Sequence, residues 1–337
     1  MRHVTGHAIG QRTAADEKAH VLSIEKSGGR SVRALLAAPQ IARAAKPMQF
    51  VMVKARDGVD PFLRRPFSLS AIEPDEGIIG ITWDVVGRGT EIMAGWEPGD
   101  EIMVLGPLGN GLDLSEVSQK RHQSQNTEVS NASSSSTSST QGSTTDDQHG
   151  TSSSGQPGRL FLIAGGTGLA PMFPLAKSAM GLGWDVSVFY GARSADLLHD
   201  CAPLRALGCQ VDLCTDDGSV GPRSFVTDLA RSALASAGPN DLAVSCGPTP
   251  MTRSLKRLCS ELGVTLYVSL EERMACGTGL CKGCAVKMAP TYGEPGITGQ
   301  GAHAATRVEA EVSGYYHVCS DGPVFLSTMV ELGGEKA

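Results

Sequence analysis

The 337-residue sequence predicts a multidomain protein of the β plus α/β class: an antiparallel β-barrel, a parallel-sheet α/β domain and a small C-terminal module. Three observations carry that prediction. The N-terminal third holds short β-branched runs punctuated by Gly, Pro and Asp. Past a Ser-rich break, apolar strand-length runs alternate with helix-length segments. The C-terminal stretch abandons both rhythms and places three cysteines within nine residues.

The elements follow in order. Met1–Lys18 contains Asp16 and Glu17 and no apolar core of a signal peptide, so residues 1–18 read as an N-terminal extension and not as a secretory signal. The first strand is expected near His20, in Val21–Ile24. Gly77–Val86 and Glu101–Leu105 follow as strands, with turns at Glu97–Asp100 and Gly106–Gly109. Several short strands with such turns predict a small antiparallel barrel over residues 19–117. From Ser130 to Ser154, 16 of 25 residues are Ser or Thr, too polar to offset the entropy of ordering. Residues 118–158 are therefore expected to be a disordered linker.

The α/β domain, residues 159–269, reads as strands Arg159–Ala164, Asp185–Tyr190, Gln210–Cys214, Asp241–Ser245 and Val264–Ser269. Helices are expected at Met172–Gly181, Ala195–Leu207, Ser224–Ala237 and Met251–Leu262. Residues 270–337 form the cysteine-bearing module.

Charge and composition remove several function classes. With 29 Lys and Arg against 35 Asp and Glu, the net charge of −6 offers no basic field for nucleic acid or an anionic membrane. No apolar run approaches the roughly 20 residues of a membrane span. Nine cysteines, an odd number, with no export signal point to a reducing cytoplasm.

Three constellations carry chemistry. Gly165-Gly166-Thr167-Gly168 lies between a strand and a helix, where glycines let backbone N–H groups approach a pyrophosphate. Cys246-Gly247-Pro248 ends the fourth strand of the same domain and is expected to face the same crevice, although a ligand-free turn is the bland alternative. In the barrel, Arg65-Pro66-Phe67-Ser68 supplies a guanidinium for phosphate, and Gly89-Thr90 adds backbone and hydroxyl donors. Each is weak alone, since an Arg-Pro pair is usually a strand edge. The third is Cys276-x4-Cys281-x2-Cys284 with Cys319 further on, the plant-type [2Fe-2S] spacing. A structural zinc site is the main alternative.

The order Arg-Pro-x-Ser, Gly-x-Gly-Thr, Gly-Pro-x-Gly, Gly-Gly-Thr-Gly-x-Ala-Pro, Cys-Gly-Pro resembles the ferredoxin reductase-like flavoproteins. That resemblance spans Val21 to Ser269 and implies an FAD-binding barrel followed by an NAD(P)-binding domain. It implies that Arg65 to Ser68 contact the flavin, with Thr82, Trp83, Asp84, Gly89 and Thr90 completing the site. It also places Cys246 near the nicotinamide.

The C-terminal assembly Glu271–Cys284, then Cys319-x-Asp-Gly-Pro-Val-Phe325, is more specific. With Thr215–Ser219, it resembles the electron-transfer subunits of NAD-dependent (class 1B) dihydroorotate dehydrogenases. This implies FAD, NAD and a [2Fe-2S] cluster on Cys276, Cys281, Cys284 and Cys319. It further implies an FMN-containing catalytic subunit as partner, in a heterotetramer of two of each. Electrons would run from dihydroorotate through that FMN, the cluster and FAD to NAD+, in pyrimidine (UMP) biosynthesis. A related NAD(P)H–ferredoxin or hydrogenase reductase subunit and a zinc-stabilised interaction module are the alternatives.

Four departures from the family pattern stand out: Asp84 where a basic residue is common, a long Cys284–Cys319 gap containing Ala289–Glu311, the Ser-rich linker and the N-terminal extension. Cys201, Cys209, Cys214 and Cys259 read as buried small residues. Asp216 and Asp217 read as a turn, and no catalytic acid–base pair is expected. The loop Gly191–Ser194 shows no acidic residue for a ribose hydroxyl and offers Arg193 instead, which leaves NAD against NADP open.

Overall fold

The computed structural model describes residues 14–27, 29–117, 157–289 and 314–333. Most of the N-terminal extension, the Ser-rich linker up to residue 156 and nearly all of Ala289–Glu311 lie outside the described residues.

Strands β1 (Ala15–Ser27), β2 (Ser31–Ala37), β3 (Phe50–Val53), β4 (Arg65–Glu73), β5 (Ile78–Asp84) and β6 (Glu101–Leu108) close into an antiparallel barrel in the order β1-β2-β5-β4-β3-β6. The first strand begins at Ala15, well before the expected His20. Residues Ala15 to His20 pair with Gly106 to Glu101 of β6, and that pairing closes the barrel. A polar segment is held there because its backbone completes a ladder and its alternate side chains, Glu17, Ala19 and Val21, turn inward. Glu17 is buried, and its carboxylate accepts the Gln40 and Ile41 N–H groups at 3.1 and 3.0 Å. These are orphan donors at the start of helix Pro39–Ala44. The barrel interior is aliphatic around Trp83, whose ring meets Trp96 edge-on at 5.8 Å.

Strands β7 (Arg159–Gly165), β8 (Asp185–Ala192), β9 (Gln210–Thr215), β10 (Leu242–Cys246) and β11 (Leu266–Ser269) form a parallel sheet. Its order, β11-β10-β7-β8-β9, reverses at β7, so a crevice opens beyond the ends of β7 and β10. Alternate residues of β7 feed opposite faces: Leu160 and Leu162 into one core, Phe161 and Ile163 into the other.

Two of the expected helices are interrupted. Ala195–Leu207 becomes a short 3-10 turn, Ala195–Leu197, and a helix Ala202–Ala206. Asp200 accepts the Ala202 N–H at 2.8 Å and Pro203 sits in the first turn, so the helix starts afresh there. Ser224–Ala237 divides at Ala230 into Val226–Leu229 and Arg231–Ala235. Helix Met172–Gly181 appears with the expected bounds, and the last helix is Thr249–Leu262.

The C-terminal residues do not stand apart. Strands β12 (Ala285–Lys287) and β13 (Tyr315–His317) form a ribbon, while β14 (Val324–Leu326) pairs antiparallel with β11. Phe50, Met52 and Leu108 of the barrel share one core with Val268, Cys284, Tyr316, Cys319 and Phe325. Asn110, at the barrel's exit, donates through Nδ2 to the Asp321 carbonyl at 2.9 Å.

Candidate functional site

Two clefts meet where barrel and α/β domain join. The first, about 780 Å³, is lined by Arg65, Pro66, Phe67, Ser68, Thr82, Trp83, Asp84 and Thr90 from the barrel. The α/β domain and C-terminal module supply Thr167, Ala170, Ser269–Met274 and Pro323. The second, about 560 Å³, is lined by Gly165, Gly166, Thr167, Gly247 and Pro248 at the switch point, and by residues of the loops after β8 and β9. Asp84, Thr167 and Glu271 line both, so the clefts share a wall.

The barrel residues reach the first cleft for local reasons. Arg65 opens β4, and its guanidinium donates to the Leu63 carbonyl. Gly89 does not line the cleft; a methyl group there would overlap the Arg65 guanidinium, so the glycine makes room for that side chain. The Thr90 hydroxyl accepts the Val86 and Gly87 N–H groups at 2.9 and 3.1 Å and donates to the Gly87 carbonyl at 2.8 Å. Thr90 therefore shapes the turn that carries the rim. The donor set fits a flavin: Phe67, Pro66, Trp83 and Met274 offer ring-sized apolar surface, and Arg65 offers a cation for phosphate.

At the switch point the glycines act through close approach. A side chain at Gly168 would strike the Cys246 carbonyl, and one at Gly165 would lie 2.8 Å from Met251 Sδ. Gly166 has φ +54°, a left-handed backbone that glycine adopts without strain, and a Cβ there would meet nothing within 4 Å. Gly168 and Cys246 sit behind the cleft and not on its surface. Cys246 is fully buried, with its Sγ 3.9 Å from Glu271 Oε1. Burial pushes the Cys246 thiol well up and also raises the Glu271 carboxyl, toward its neutral form.

Asp84, out of keeping with a basic position, has partners on both sides. Its Oδ2 lies 3.3 Å from Arg30 Nε and its Oδ1 lies 3.5 Å from His199 Nε2. His199 is buried, shares a hydrogen bond with Ser31 at 2.6 Å, and donates its backbone N–H to Tyr190 Oη at 3.0 Å. Burial lowers its pKa against the opposing pull of Asp84. Barrel and α/β domain thus meet through a polar seam that spacing in the sequence does not advertise.

Two of the four cysteines of the C-terminal module, Cys284 and Cys319, come together, and Cys276 and Cys281 lie on the loop just before Cys284. Cys284 Sγ and Cys319 Sγ lie 3.2 Å apart, although 34 residues separate them in the chain. Gly279 N–H points at Cys319 Sγ at 3.1 Å, while Thr278 and Cys281 N–H groups point at Cys276 Sγ at 3.4 Å. Positive φ at Gly277, Gly279 and Lys282 wraps the loop so that its amides face the sulfurs. Those amides hold the Cys276 thiol down at about 6; Cys284, beside Cys319, is also held at about 6. In chemistry, thiols faced by backbone amides suit a thiolate-bound iron–sulfur group. Among the described residues, no group of three or more His, Cys, Asp or Glu side chains is placed to hold a metal ion.

Sequence reasoning overlooked part of each cleft. Arg30, Phe225, Met251, Ser254, Glu271, Glu272 and Arg273 line them without being singled out as site residues. The run Glu271–Arg273 directly before Cys276 was the available signal.

Comparison with known proteins gives the same picture. No family model matches the chain. The chain is 31% identical over 317 residues to the electron transfer subunit of dihydroorotate dehydrogenase B (NAD(+)) of Geobacillus thermodenitrificans, covering 94% of this chain and 98% of that one. It is 31% identical over 287 residues to the subunit of the same name from Fusobacterium nucleatum, covering 85% and 87%. Among solved structures, an NADH-dependent reduced ferredoxin-NADP oxidoreductase superposes with a TM-score of 0.67 at 23% identity, covering 94% and 91%. Barrel, switch-point sheet and shared clefts define a ferredoxin reductase-like flavoprotein fold. Within that class, the chain belongs to the family of dihydroorotate dehydrogenase B (NAD(+)) electron transfer subunits.

Proposed function

We propose that this chain is the electron-transfer subunit of an NAD+-dependent dihydroorotate dehydrogenase, delivering to NAD+ the electrons that a separate FMN-containing catalytic subunit takes from dihydroorotate. Its place is then in pyrimidine biosynthesis, in the cytoplasm, in an assembly of two of each subunit. The observation that carries this reading is the near full-length match to subunits of that name, joined to two clefts with a common wall. Among the described residues, no helix is long and apolar enough to cross a membrane.

Arg65, Pro66, Phe67, Ser68, Thr82, Trp83 and Asp84 would hold FAD, with Gly89 and Thr90 shaping the support beneath them. Gly165, Gly166, Thr167, Gly247 and Pro248 would hold NAD, backed by Gly168 and Cys246. Cys276, Cys281, Cys284 and Cys319 would hold a [2Fe-2S] cluster. When bound, the flavin supplies both hydride and one-electron exchange, and the cluster supplies one-electron exchange.

The chain's own contribution is position. Thr167 and Glu271 reach both clefts and set two ligands against each other. The cysteine loop packs on the barrel: a side chain at Gly277 would lie 2.5 Å from Met52 Cγ, and Met52 pairs with Pro66 on the cleft wall. Phe50, Met52 and Leu108 are buried in the core that the barrel shares with the cysteine module, which keeps water out of that contact.

Co-expression with the catalytic subunit tests the reading. The purified complex should form orotate with NAD+ as acceptor and contain flavin, iron and acid-labile sulfide. A catalytic subunit that ignores this chain, or a chain that couples only to a ferredoxin, would overturn it.

A further inference from the structure

Asp84 lines both clefts and is shared between two partners: its Oδ2 takes Arg30 Nε at 3.3 Å and its Oδ1 faces His199 Nε2 at 3.5 Å. The hairpin between β1 and β2 holds the three together. Ser31 pairs with Asp84 across the β2–β5 ladder, and Val85 N–H donates to the Arg30 carbonyl at 2.9 Å. At the hairpin tip Gly29, with φ +63°, rests on the α/β domain: a side chain there would lie 2.5 Å from the Asp196 carbonyl oxygen. Ser31 then fixes the His199 ring through its hydrogen bond with Nδ1. The end of β5 packs against the turn Gly166–Leu169. A barrel hairpin thus carries Arg30 into the cleft that holds the glycine turn of the other domain.

Two groups in this seam are incompletely engaged. Arg30 uses Nε alone on Asp84; its two Nη groups have no partner among the described residues, and the side chain is half-exposed. A guanidinium presented that way can take a phosphate with two parallel N–H groups. Arg193, the other cation of the cleft, lies on the loop after β8 and makes no ion pair with Asp84 among the described residues. The second group is His199 Nε2, which is buried and has no hydrogen-bond partner among the described residues, although it points at a carboxylate. Asp84 and Arg30 face it from the barrel. From its own domain, Tyr190 Oη receives the His199 N–H and the Cys201 thiol lies 3.5 Å from the His199 carbonyl; burial keeps both neutral. Asp200 is turned to the Ala202 N–H.

On the reading that the second cleft takes the dinucleotide, we propose that the ligand's pyrophosphate draws Arg30 off Asp84 and that His199 takes up a proton in exchange. While Arg30 stays, its charge satisfies Asp84, and burial holds the imidazole in its neutral form. Once the guanidinium turns to the phosphates, the Asp84 carboxylate keeps the imidazole as its remaining partner. A protonated ring donates from both nitrogens, to Ser31 Oγ and to Asp84 Oδ1, so the buried Nε2 gains the hydrogen bond it lacks. One proton enters from solvent, and no covalent bond is made or broken. Binding in the cleft is thereby linked to the contact between barrel and α/β domain, and it tightens as pH falls, because the bound state holds more protons than the free one.

The test is titration calorimetry of the flavin-loaded full chain with ADP-ribose, repeated in buffers of different ionisation enthalpy, which counts the protons taken up without any turnover. ADP-ribose suits it because none of its own groups titrates between pH 6 and pH 8. Near pH 6, about half a proton should enter per ligand, falling to none near pH 8, and affinity should rise roughly 3-fold on that acidification. Arg30→Gln should weaken ADP-ribose by on the order of 10-fold and remove the uptake, while Arg30→Lys should lose less affinity. His199→Gln should bind with the uptake gone. Flavin absorbance reports whether each variant has folded; should His199→Gln lose its flavin, Arg30→Gln alone decides. Wild-type binding with no proton uptake, or uptake that persists in Arg30→Gln or His199→Gln, would overturn the coupling and leave the cleft's assignment standing. If the wild type does not bind ADP-ribose, the dinucleotide reading itself falls, and the coupling with it.

Discussion

Glu17 is a buried carboxyl group that accepts two backbone N–H groups and has no cation partner among the described residues. Removing it strands the buried Ile41 N–H, a loss of about 1–3 kcal/mol for an unsatisfied buried group. Glu17→Ala should accordingly lower the midpoint of thermal unfolding, followed by circular dichroism, while Asp16→Ala, which breaks a more exposed pair with Arg64, should lower it less. Gly168 makes the same point through absence. Its missing side chain lets the loop after β7 touch the Cys246 carbonyl. Gly168→Val should push the two loops apart and weaken nucleotide binding, read by calorimetry, with flavin content unchanged because the barrel supplies that cleft's main wall.

At the scale of elements, the cysteine loop Cys276–Cys284 and the turn carrying Cys319 are each short and poor in regular structure. They are ordered by what surrounds them: β12 and β13 pair across the ribbon, Val318 N–H donates to the Cys284 carbonyl at 3.0 Å, and Cys284 meets Cys319. Cys319→Ser should abolish acid-labile sulfide and the visible iron–sulfur absorption. Flavin content and the reduction of bound flavin by NADH should survive, since neither uses the sulfur, and orotate formation with the partner should collapse. Cys201→Ser and Cys259→Ser, both at buried apolar positions far along the chain, should leave iron content unchanged. A Cys319→Ser protein with full iron and full coupling would place the fourth ligand elsewhere.

The whole molecule is held by a seam as well as by cores. Lys177 of the α/β domain reaches Glu73 of the barrel at 2.5 Å on the surface, and beneath it Ser31, His199, Asp84 and Arg30 join the two domains. Burial lowers the folded-state pKa of His199, so below the unfolded value near 6.5 the unfolded chain takes up a proton that the folded seam resists. Stability from this group is therefore complete above about pH 6.5 and falls as pH drops from there toward the folded pKa. His199→Gln should flatten that part of the profile, checked by comparing thermal midpoints of both proteins between pH 8 and pH 5.5. An unchanged acid slope in the variant would place the sensitive group elsewhere.

What the sequence determined by itself is whatever a local pattern encodes. The β-branched strands with Gly and Pro turns, the helix Met172–Gly181, the glycine turn after β7 and the C-x4-C-x2-C spacing were all legible, because each depends on neighbours within a dozen residues. Tertiary structure alone decided the rest. Ala15–His20 became a strand because β6 supplies a partner ladder, and His199, within the interrupted Ala195–Leu207 segment, turns inward to a barrel it meets only in three dimensions. The separation of Asp216, facing the cleft, from Asp217, folded into its turn, also lay beyond the sequence. Hydrogen-bond ladders and buried polar pairs join residues distant in the chain, and no periodicity along one segment records which partner will arrive.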